Sequence, residues 1–294
     1  MKVAIFGRSH THYNAGEIHL LFQRICARPD ISLQVYEPLK DLLQSMAGEL
    51  PAHTGVSYFS TCDGLVEDTD LFLSLGGDGT FLDSIPIVRG SMIPVAGINF
   101  GRLGFLTTAS VGNGDSSIDE LLEGRFSVEE RALLHVDSPC TDTYPYCMNE
   151  LTIQRRDQSM LEIRLKVNGV ELPEYYSDGL IIATPTGSTA YSMSIGGPIV
   201  MPDSKVTIIA PIAPHNLNVR PLVVPDTASI SFEYEGRGED ALLTLDNRSV
   251  ILPKHTSVTV SKADFPVRRA AVDNSFIGAL SQKLMWGQDK RILK

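Results

Sequence analysis

A carboxylate lies inside a glycine-rich loop in the first third of the chain. The loop follows an apolar run at 71–75 and reads Gly76-Gly77-Asp78-Gly79-Thr80. A strand, a glycine turn and a helix start form an anion site, because glycines let amides approach phosphate and a helix N-terminus favours negative charge. A carboxylate would repel phosphate, so Asp78 indicates a second role, in which it handles a hydroxyl proton or a metal ion beside the phosphates. The alternative is an Asp-Gly turn without chemistry.

A run of small, hydroxyl-bearing residues lies beyond the middle of the chain, after an apolar segment at 180–183. The run reads Thr186-Gly187-Ser188-Thr189-Ala190-Tyr191-Ser192. Small residues with hydroxyls allow close contact with a sugar, a phosphate or a base edge, and Tyr191 adds an aromatic face. We expect Ser188 or Thr189 to cap a helix. The alternative is a tight strand-to-helix turn packed against its neighbours, since Ser, Thr and Gly also dominate ordinary turns.

The elements that must position the glycine loop indicate an α/β domain. Short apolar runs predict strands at 2–6, 32–36, 71–75 and 93–98, with helices at 17–27 and 81–88. Continuous apolar strands separated by helices are typical of a parallel sheet covered on both faces. In such Rossmann-like sheets, ligands bind at the carboxyl ends of the strands, and the glycine loop falls at such an end.

The second half of the chain follows a different period and indicates mostly β structure. Leu161, Ile163 and Leu165 alternate with charged residues, and the turn Asn168-Gly169 that follows favours a hairpin. More strands are predicted around 206–210, 228–234, 241–245 and 257–260, a short helix at 117–123, and a helical tail from 275. We therefore expect an α/β domain at 1–110, a mostly β domain at 111–272, and a C-terminal segment at 273–294 that returns to the first domain.

Composition and charge disfavour several classes of function. Hydrophobic residues make up 43% and charged residues 20% of the 294 residues, as in ordinary globular proteins. The net charge of -10 argues against nucleic-acid binding, which depends on clustered Lys and Arg. The chain shows no signal peptide and no run of roughly 18 apolar residues. Four cysteines are too sparse for a disulfide scaffold. We expect a cytoplasmic protein that binds neither nucleic acid nor membrane.

Five blocks in order resemble the NAD kinase family. The glycine loop alone is similar to that of a wider superfamily, which includes diacylglycerol-type lipid kinases and, more distantly, phosphofructokinases. The block beginning at Asp178 narrows the resemblance, because lipid kinases do not share it. The blocks after the glycine loop read Asn99-x-Gly101-x-x-Gly104-Phe105-Leu106, Asn149-Glu150, Asp178-Gly179 through Ser192 with Gly196-Gly197-Pro198, and Pro214-His215 with Arg220-Pro221.

The resemblance implies an enzyme that phosphorylates the 2′-hydroxyl of the adenosine ribose of NAD, with ATP or another donor, to give NADP. Asp78 would accept the proton of that hydroxyl. The residues expected to bind the dinucleotide are Gly79, Asn149, Glu150, Asp178, Thr189, Ala190, Tyr191, Ser192, Met193 and Ser194. Further candidate contacts are Gly76, Gly77, Thr80, Asn247 and Arg248. The resemblance also implies a divalent metal ion, Mg²⁺, and a homo-oligomer, either a tetramer or a dimer.

Two positions depart from the family pattern. Asp83 stands five positions after Asp78, where the resemblance implies a basic residue that would contact phosphate. A second carboxylate there would repel a polyphosphate unless a cation intervenes, whereas an Asp83 that points to solvent would have no effect. The segment Asp246-Asn247-Arg248 replaces Asp-Gly-Gln, so the ligand contact of that block passes to Arg248 or is lost.

Two other functions stay open. A lipid kinase would share the glycine loop and should display a basic or apolar surface for membrane docking. A nucleotide-binding sensor would keep the NAD-binding motifs without catalysis, although the presence of Asp78 argues against it.

His10 and His12 form a His-x-His pair with no third ligand nearby in the sequence, which disfavours a metal site. Trp286 is expected to anchor the C-terminal helix.

Overall fold

The computed structural model divides the chain into two compact units, Met1–Glu130 with Val267–Lys294, and Arg131–Pro266. Within them it describes residues 1–9, 13–47, 56–65, 68–101, 104–112, 115–140, 144–238, 240–272 and 276–284. His10, His12 and Trp286 lie outside the described residues, as do 273–275 and 285–294 of the expected C-terminal segment. No helix in the described part of the chain is long and apolar enough to cross a membrane.

The first unit is built on a parallel sheet. Its strands in chain order are β1 (Lys2–Gly7), β2 (Ser32–Tyr36), β3 (Ser57–Phe59), β4 (Leu71–Leu75), β5 (Val95–Asn99), β6 (Thr107–Ser110) and β7 (Ser127–Arg131). The order β3-β2-β1-β4-β5 is parallel throughout, and β6 also pairs with β5 in parallel. All residues of β4 and β5 are buried, as the continuous apolar runs predict.

The helices of the described chain number six, with three short 3-10 turns at Glu37–Leu39, Cys62–Gly64 and Thr186–Thr189. They are α1 (Ala15–Cys26), α2 (Lys40–Ala47), α3 (Asp78–Val88), α4 (Ser117–Leu122), α5 (Tyr191–Ser194) and α6 (Phe276–Leu284). α1 begins where the side chain of Asn14 accepts the amide of Gly16 at 2.9 Å, an ordinary N-cap. Its apolar face is buried against the sheet core of the first unit.

The second unit consists mostly of antiparallel strands. They are β8 (Leu134–Asp137), β9 (Tyr146–Cys147), β10 (Glu150–Gln154), β11 (Leu161–Val167), β12 (Val170–Glu171), β13 (Tyr175–Ser177), β14 (Gly179–Ala183), β15 (Val206–Ile212), β16 (Leu222–Pro225), β17 (Ile230–Glu235), β18 (Ala241–Leu245), β19 (Arg248–Leu252) and β20 (Val258–Lys262). One sheet has the order β16-β15-β14-β10-β18-β19, and the other β12-β11-β17-β20-β8-β9 with β13 beside β11. The predicted hairpin is confirmed: Asn168 and Gly169 have φ values of 51° and 78° between β11 and β12.

A last strand, β21 (Val267–Ala271), belongs to the first sheet, where it pairs in parallel with β5. The fold class expected from the sequence, a Rossmann-like parallel α/β half and a mostly β second half, is confirmed. The units divide at Glu130 and Pro266 rather than at 110 and 272. The division differs because α4 packs on β6, and β21 completes the sheet of the first unit.

Candidate active site

The glycine loop connects β4 to α3, as predicted, and Asp78 is the first residue of that helix. Gly76 has φ +145°, and a Cβ added there would lie 2.8 Å from the Cβ of Thr80, so only glycine fits. The amides of Thr80 and Phe81 donate to the carbonyl of Gly77 at 3.0 and 3.1 Å. The first-turn amides before Thr80 lack intrahelical partners by geometry, and they form the anion-binding end of α3.

Two backbone amides hold the carboxylate of Asp78. The N–H of Phe105 donates to Oδ2 at 2.7 Å, and the N–H of Leu106 donates to Oδ1 at 2.9 Å. Glycine at 104 leaves the carboxylate its place, because a Cβ there would lie 2.5 Å from Cγ of Asp78. Each carboxylate oxygen has a second lone pair, so Asp78 can still accept a hydroxyl proton. The Asn99-to-Leu106 block therefore orients the carboxylate by its backbone, a partner that no side-chain pattern reveals.

A lysine that we did not single out from the sequence lies beside this carboxylate. The Nζ of Lys283, on α6, stands 3.9 Å from the centre of the Phe105 ring. Burial lowers the pKa of Lys283 to about 8, while the charge of Asp78 raises it and that of Arg269 lowers it further. Lys283 falls seven residues after Phe276 and three after Leu280, on the apolar face of the helix. A lysine among the apolar residues of one helix face was the sequence signal that could have identified Lys283.

Asp83 is neither an unpaired charge beside the loop nor a free surface carboxylate. The Nε of Arg8, just after β1, donates to Asp83 Oδ2, and the side chain of Asp83 is 24% exposed. The Nη2 of the same arginine donates to the carbonyl of Gly79 at 3.2 Å. The expectation that Asp83 points to solvent is wrong, because the guanidinium of Arg8, just after β1, pairs with it. The other expectation allowed for a cation beside the second carboxylate, and Arg8 is such a cation. Arg8 thus places a guanidinium at the first turn of α3.

In the second unit, Asp246 holds the Asn149-Glu150 motif. Asp246 lies in the β18–β19 turn with φ 54°, and its carboxylate accepts the amides of Met148, Asn149 and Glu150 at 2.9, 2.7 and 3.3 Å. Burial of the carboxylate raises the pKa of Asp246, and these three N–H donors partly offset the rise. The carboxylate of Asp246 therefore holds the backbone of the Asn149-Glu150 motif in place.

Glu150 is a buried carboxyl group with its Oε2 lacking a hydrogen-bond partner in the described chain. Burial, then the charge of Asp246, raises the pKa of Glu150 to about 8, while the backbone N–H of Tyr191 lowers it. The carboxyl is therefore mostly protonated at neutral pH. A protonated carboxyl can donate one hydrogen bond and accept others, which suits a ribose or amide group. The contact with Tyr191 also joins the motif to the start of α5.

The small-residue run forms a 3-10 turn followed by α5, packed on the Asn149 backbone. The amide of Thr184 donates to the carbonyl of Asn149 at 2.9 Å. The expectation that Ser188 or Thr189 caps a helix is wrong, since α5 has no side-chain cap. Ser188 instead accepts the amide of Val200 at 3.0 Å, 12 residues on. Of the expected contact residues in this loop, one is fully buried, Ser192, and the others are at least partly exposed, namely Thr189, Ala190, Tyr191, Met193 and Ser194.

One expected contact, Asp178, is not brought to the small-residue run. Asp178 precedes β14, whereas the small-residue run follows it, so a five-residue strand of roughly 16 Å separates them. Asp178 makes a two-point ion pair with Arg155, at 3.0 and 3.1 Å. Arg248 donates from Nη1 to the carbonyl of Tyr144 at 2.7 Å, and its guanidinium lies over the Tyr144 ring. Asn247, between Asp246 and Arg248, is exposed.

Comparisons with known proteins give the family of the chain. Residues 23–126 match the model of the ATP-NAD kinase N-terminal domain, and residues 148–272 match that of the C-terminal domain. The NAD kinase of Flavobacterium psychrophilum is 38% identical over 99% of this chain and all of that protein, and the NAD kinase of Cytophaga hutchinsonii is 39% identical with the same coverage.

Two solved structures share the fold. A crystal structure of yeast NADH kinase complexed with NADH has a TM-score of 0.87 at 24% identity, covering 100% of this chain and 90% of that one. A crystal structure of an NAD kinase from Archaeoglobus fulgidus in complex with ATP has a TM-score of 0.72 at 26% identity, covering 96% and 98%. With full-length relatives at this level of identity and both domain models matched in order, the chain belongs to the NAD kinase family.

Proposed function

We propose that this protein transfers the γ-phosphoryl group of ATP to the 2′-hydroxyl of the adenosine ribose of NAD, giving NADP and ADP. The observation that carries the proposal is the carboxylate of Asp78, fixed by two amides at the N-terminal end of α3. A base oriented at an anion-binding helix end is the arrangement that a hydroxyl-to-phosphate transfer needs.

The phosphoryl transfer needs a proton acceptor and groups that bind phosphate, and this chain supplies both. Asp78 takes the proton of the 2′-hydroxyl as that oxygen bonds to the γ-phosphorus. The bond from the γ-phosphorus to the β–γ bridging oxygen breaks, and ADP leaves with that electron pair. The amides at the first turn of α3 bind the phosphate oxygens, where negative charge is concentrated during transfer.

The dinucleotide contacts belong to the second unit. The Asn149-Glu150 motif would hydrogen-bond NAD, and the neutral carboxyl of Glu150 would both donate and accept there. The partly exposed residues from Thr189 to Ser194 would lie against the dinucleotide, with Tyr191 offering its ring. Because Ser192 is buried, its part would be to hold the loop in shape.

A divalent metal ion, Mg²⁺, fits the residues of the glycine loop. Mg²⁺ in phosphoryl-transfer sites keeps several waters and binds through one or two carboxylates plus substrate phosphates. Asp78 would hold it through one of the retained waters, so that the carboxylate stays the proton acceptor. When bound, the ion neutralises charge on the transferring phosphates. Among the described residues, no group of three or more His, Cys, Asp or Glu side chains forms a protein cage for a metal.

One assay tests the proposal against its rivals. Purified protein is incubated with ATP, Mg²⁺ and NAD, and NADP is read with an NADP-specific dehydrogenase. NADP formation supports the proposal. Binding of NAD without turnover would indicate a sensor, and phosphorylation of diacylglycerol without NADP formation would indicate a lipid kinase. The family resemblance further supports a cytoplasmic homo-oligomer, a dimer or tetramer, which light scattering on the purified protein and cell fractionation would test.

A further inference from the structure

Lys283 carries a buried ammonium group that the described chain leaves without a hydrogen-bond partner. Taking a cation out of water is costly unless an anion or several acceptors receive it. The Phe105 ring, 3.9 Å away, offsets part of that cost. The remaining cost appears in the pKa of Lys283, which burial lowers to about 8.

The position of the ammonium group ties it to the reacting end of α3. Phe105, whose ring it contacts, is also the residue whose amide holds Asp78. Within the part of the chain that the structure describes, the charged groups that act on Lys283 are Asp78 and Arg269. Each of the three guanidinium nitrogens of Arg269 already donates to the protein, to the carbonyls of Leu106 and Thr107 and to Glu129. Lys283 is therefore a cation with unused donors beside the anion-binding loop.

Packing alone does not explain a lysine at this position. Phe276 and Leu280 occupy the same face of α6, and an apolar side chain at 283 would fill the site without the cost of desolvation. Lys40 gives the contrast within the same unit. Its Nζ also lies over a ring, that of Tyr58 at 4.8 Å, but the residue is exposed. An ordinary cation–π contact leaves the ammonium in water, and Lys283 does not follow that pattern.

We propose that Lys283 is a further catalytic residue, whose ammonium group binds the oxygens of the transferred phosphoryl group at the glycine loop. The proposal rests on the proposed phosphotransferase function. An ammonium has three donors and can follow the phosphoryl oxygens as the group moves from one oxygen to the other. In a site that excludes water, such a donor stabilises the transferring charge more than it would in solution.

Lys283→Met tests the proposal, with Lys40→Met as the matched control. In Lys283→Met, kcat for NADP formation should fall about 10²–10³-fold, the usual effect of losing one donor to a transferring charge. The KM for NAD should stay near wild type, because the proposed partner of Lys283 is the transferred phosphoryl group and not the dinucleotide. Binding of inorganic tripolyphosphate to the protein without substrates, measured by calorimetry, should weaken about tenfold or more. Lys40→Met should behave as wild type in all three measurements.

Thermal stability separates this role from a structural one. Removing a buried, unpartnered ammonium should leave the melting temperature of the substrate-free protein unchanged or raised. If Lys283 serves only to anchor α6 on Phe105, Lys283→Met should lower the melting temperature and leave tripolyphosphate binding unchanged, which overturns the proposal. Unchanged kcat also overturns it. If wild type forms no NADP, the proposed function fails, yet tripolyphosphate binding still decides whether Lys283 is an anion ligand.

Discussion

A methyl group at residue 104 would collide with the carboxylate of Asp78. A Cβ built there lies 2.5 Å from Cγ and 2.9 Å from Oδ2, and Oδ1 is closer still. The obstacle is the end of a side chain, so Gly104→Ala can be accommodated if the carboxylate rotates away. Rotation breaks the hydrogen bonds from the amides of Phe105 and Leu106. Hydrogen bonds to charged groups contribute about 1.5–3 kcal/mol each. With partial rehydration, we expect unfolding free energy to drop by about 2–4 kcal/mol.

The effect on turnover should exceed the effect on folding. A catalytic group displaced by about 1 Å typically costs 10²-fold in rate, and the collision demands a displacement of that size. We expect kcat of Gly104→Ala to fall at least about 10²-fold, measured by NADP formation, with the fold retained in circular dichroism. Gly101→Ala is the matched control from the same sequence block. A Cβ at Gly101 meets nothing within 4 Å, so its kcat and melting temperature should match wild type.

A double-mutant cycle tests the cause of the loss. The three nearest atoms to the built Cβ at residue 104 all belong to Asp78. Gly104→Ala should therefore destabilise an Asp78→Ala background much less than wild type, with a coupling of roughly 0.5–3 kcal/mol in chemical denaturation. Additive stability changes, or wild-type kcat in Gly104→Ala, would show that residue 104 does not set the position of the carboxylate.

Three further substitutions probe the two units separately. Asp78→Asn keeps the shape and removes the proton acceptor, so kcat should fall at least about 10²-fold with the Kd for NAD unchanged; near-wild-type turnover would refute the assignment. Ala190→Leu should weaken NAD binding in calorimetry while the melting temperature holds, whereas a loss of stability with unchanged affinity would mean that the loop only packs. Glu150 has a folded pKa of about 8 against an ordinary 4.5, so the folded state holds an extra proton between those values. The free energy of unfolding should therefore fall as pH rises through that window, by about 2–4 kcal/mol, since Glu150 is coupled to Asp246. Urea titrations at several pH values measure this dependence, and Glu150→Gln should make it flatter. Parallel wild-type and variant profiles would contradict the raised pKa.

The spacing of apolar residues predicted many strands correctly, because alternation indicates a strand buried on one face and a continuous apolar run indicates a strand buried on both. The alternation over Leu161–Val167 coincides with β11, where Leu161, Ile163 and Leu165 are buried. The continuous run Leu71–Leu75 coincides with β4, buried at every residue. The short strand β7 escaped prediction, since its sequence carries three charged residues in place of an apolar pattern.

The hydrogen-bond and ion-pair partners of the site residues could not be predicted, because they are distant in the sequence. The motif identified Asp78, but the amides that hold it come from residues 27 and 28 positions later. Arg8 meets Asp83 across 75 residues, because β1 and β4 are neighbours in the sheet. No local pattern encodes these pairings; they follow from strand order, which one sequence does not supply. The family resemblance also grouped Asp178 with the small-residue run as dinucleotide contacts, although β14 places them at opposite ends.

The acidic composition does not oppose binding of polyphosphate, because much of the negative charge near the motifs is neutralised locally. Five carboxylates lie in or beside the family motifs, and one of them, that of Asp246, is buried and accepts three backbone amides. The other four are those of Glu150, Asp83, Asp178 and Asp78. Burial keeps Glu150 mostly protonated at neutral pH, Arg8 neutralises Asp83, and an arginine holds Asp178 in a two-point ion pair. Of these four, Asp78 keeps its acceptor capacity toward a substrate hydroxyl. The field of the net charge of -10 is screened beyond about 8 Å at physiological salt. The groups close to the motifs therefore determine whether a polyphosphate binds. The resemblance to a kinase and the excess of acidic residues are therefore compatible, and the compatibility depends on pairings that only the folded chain creates.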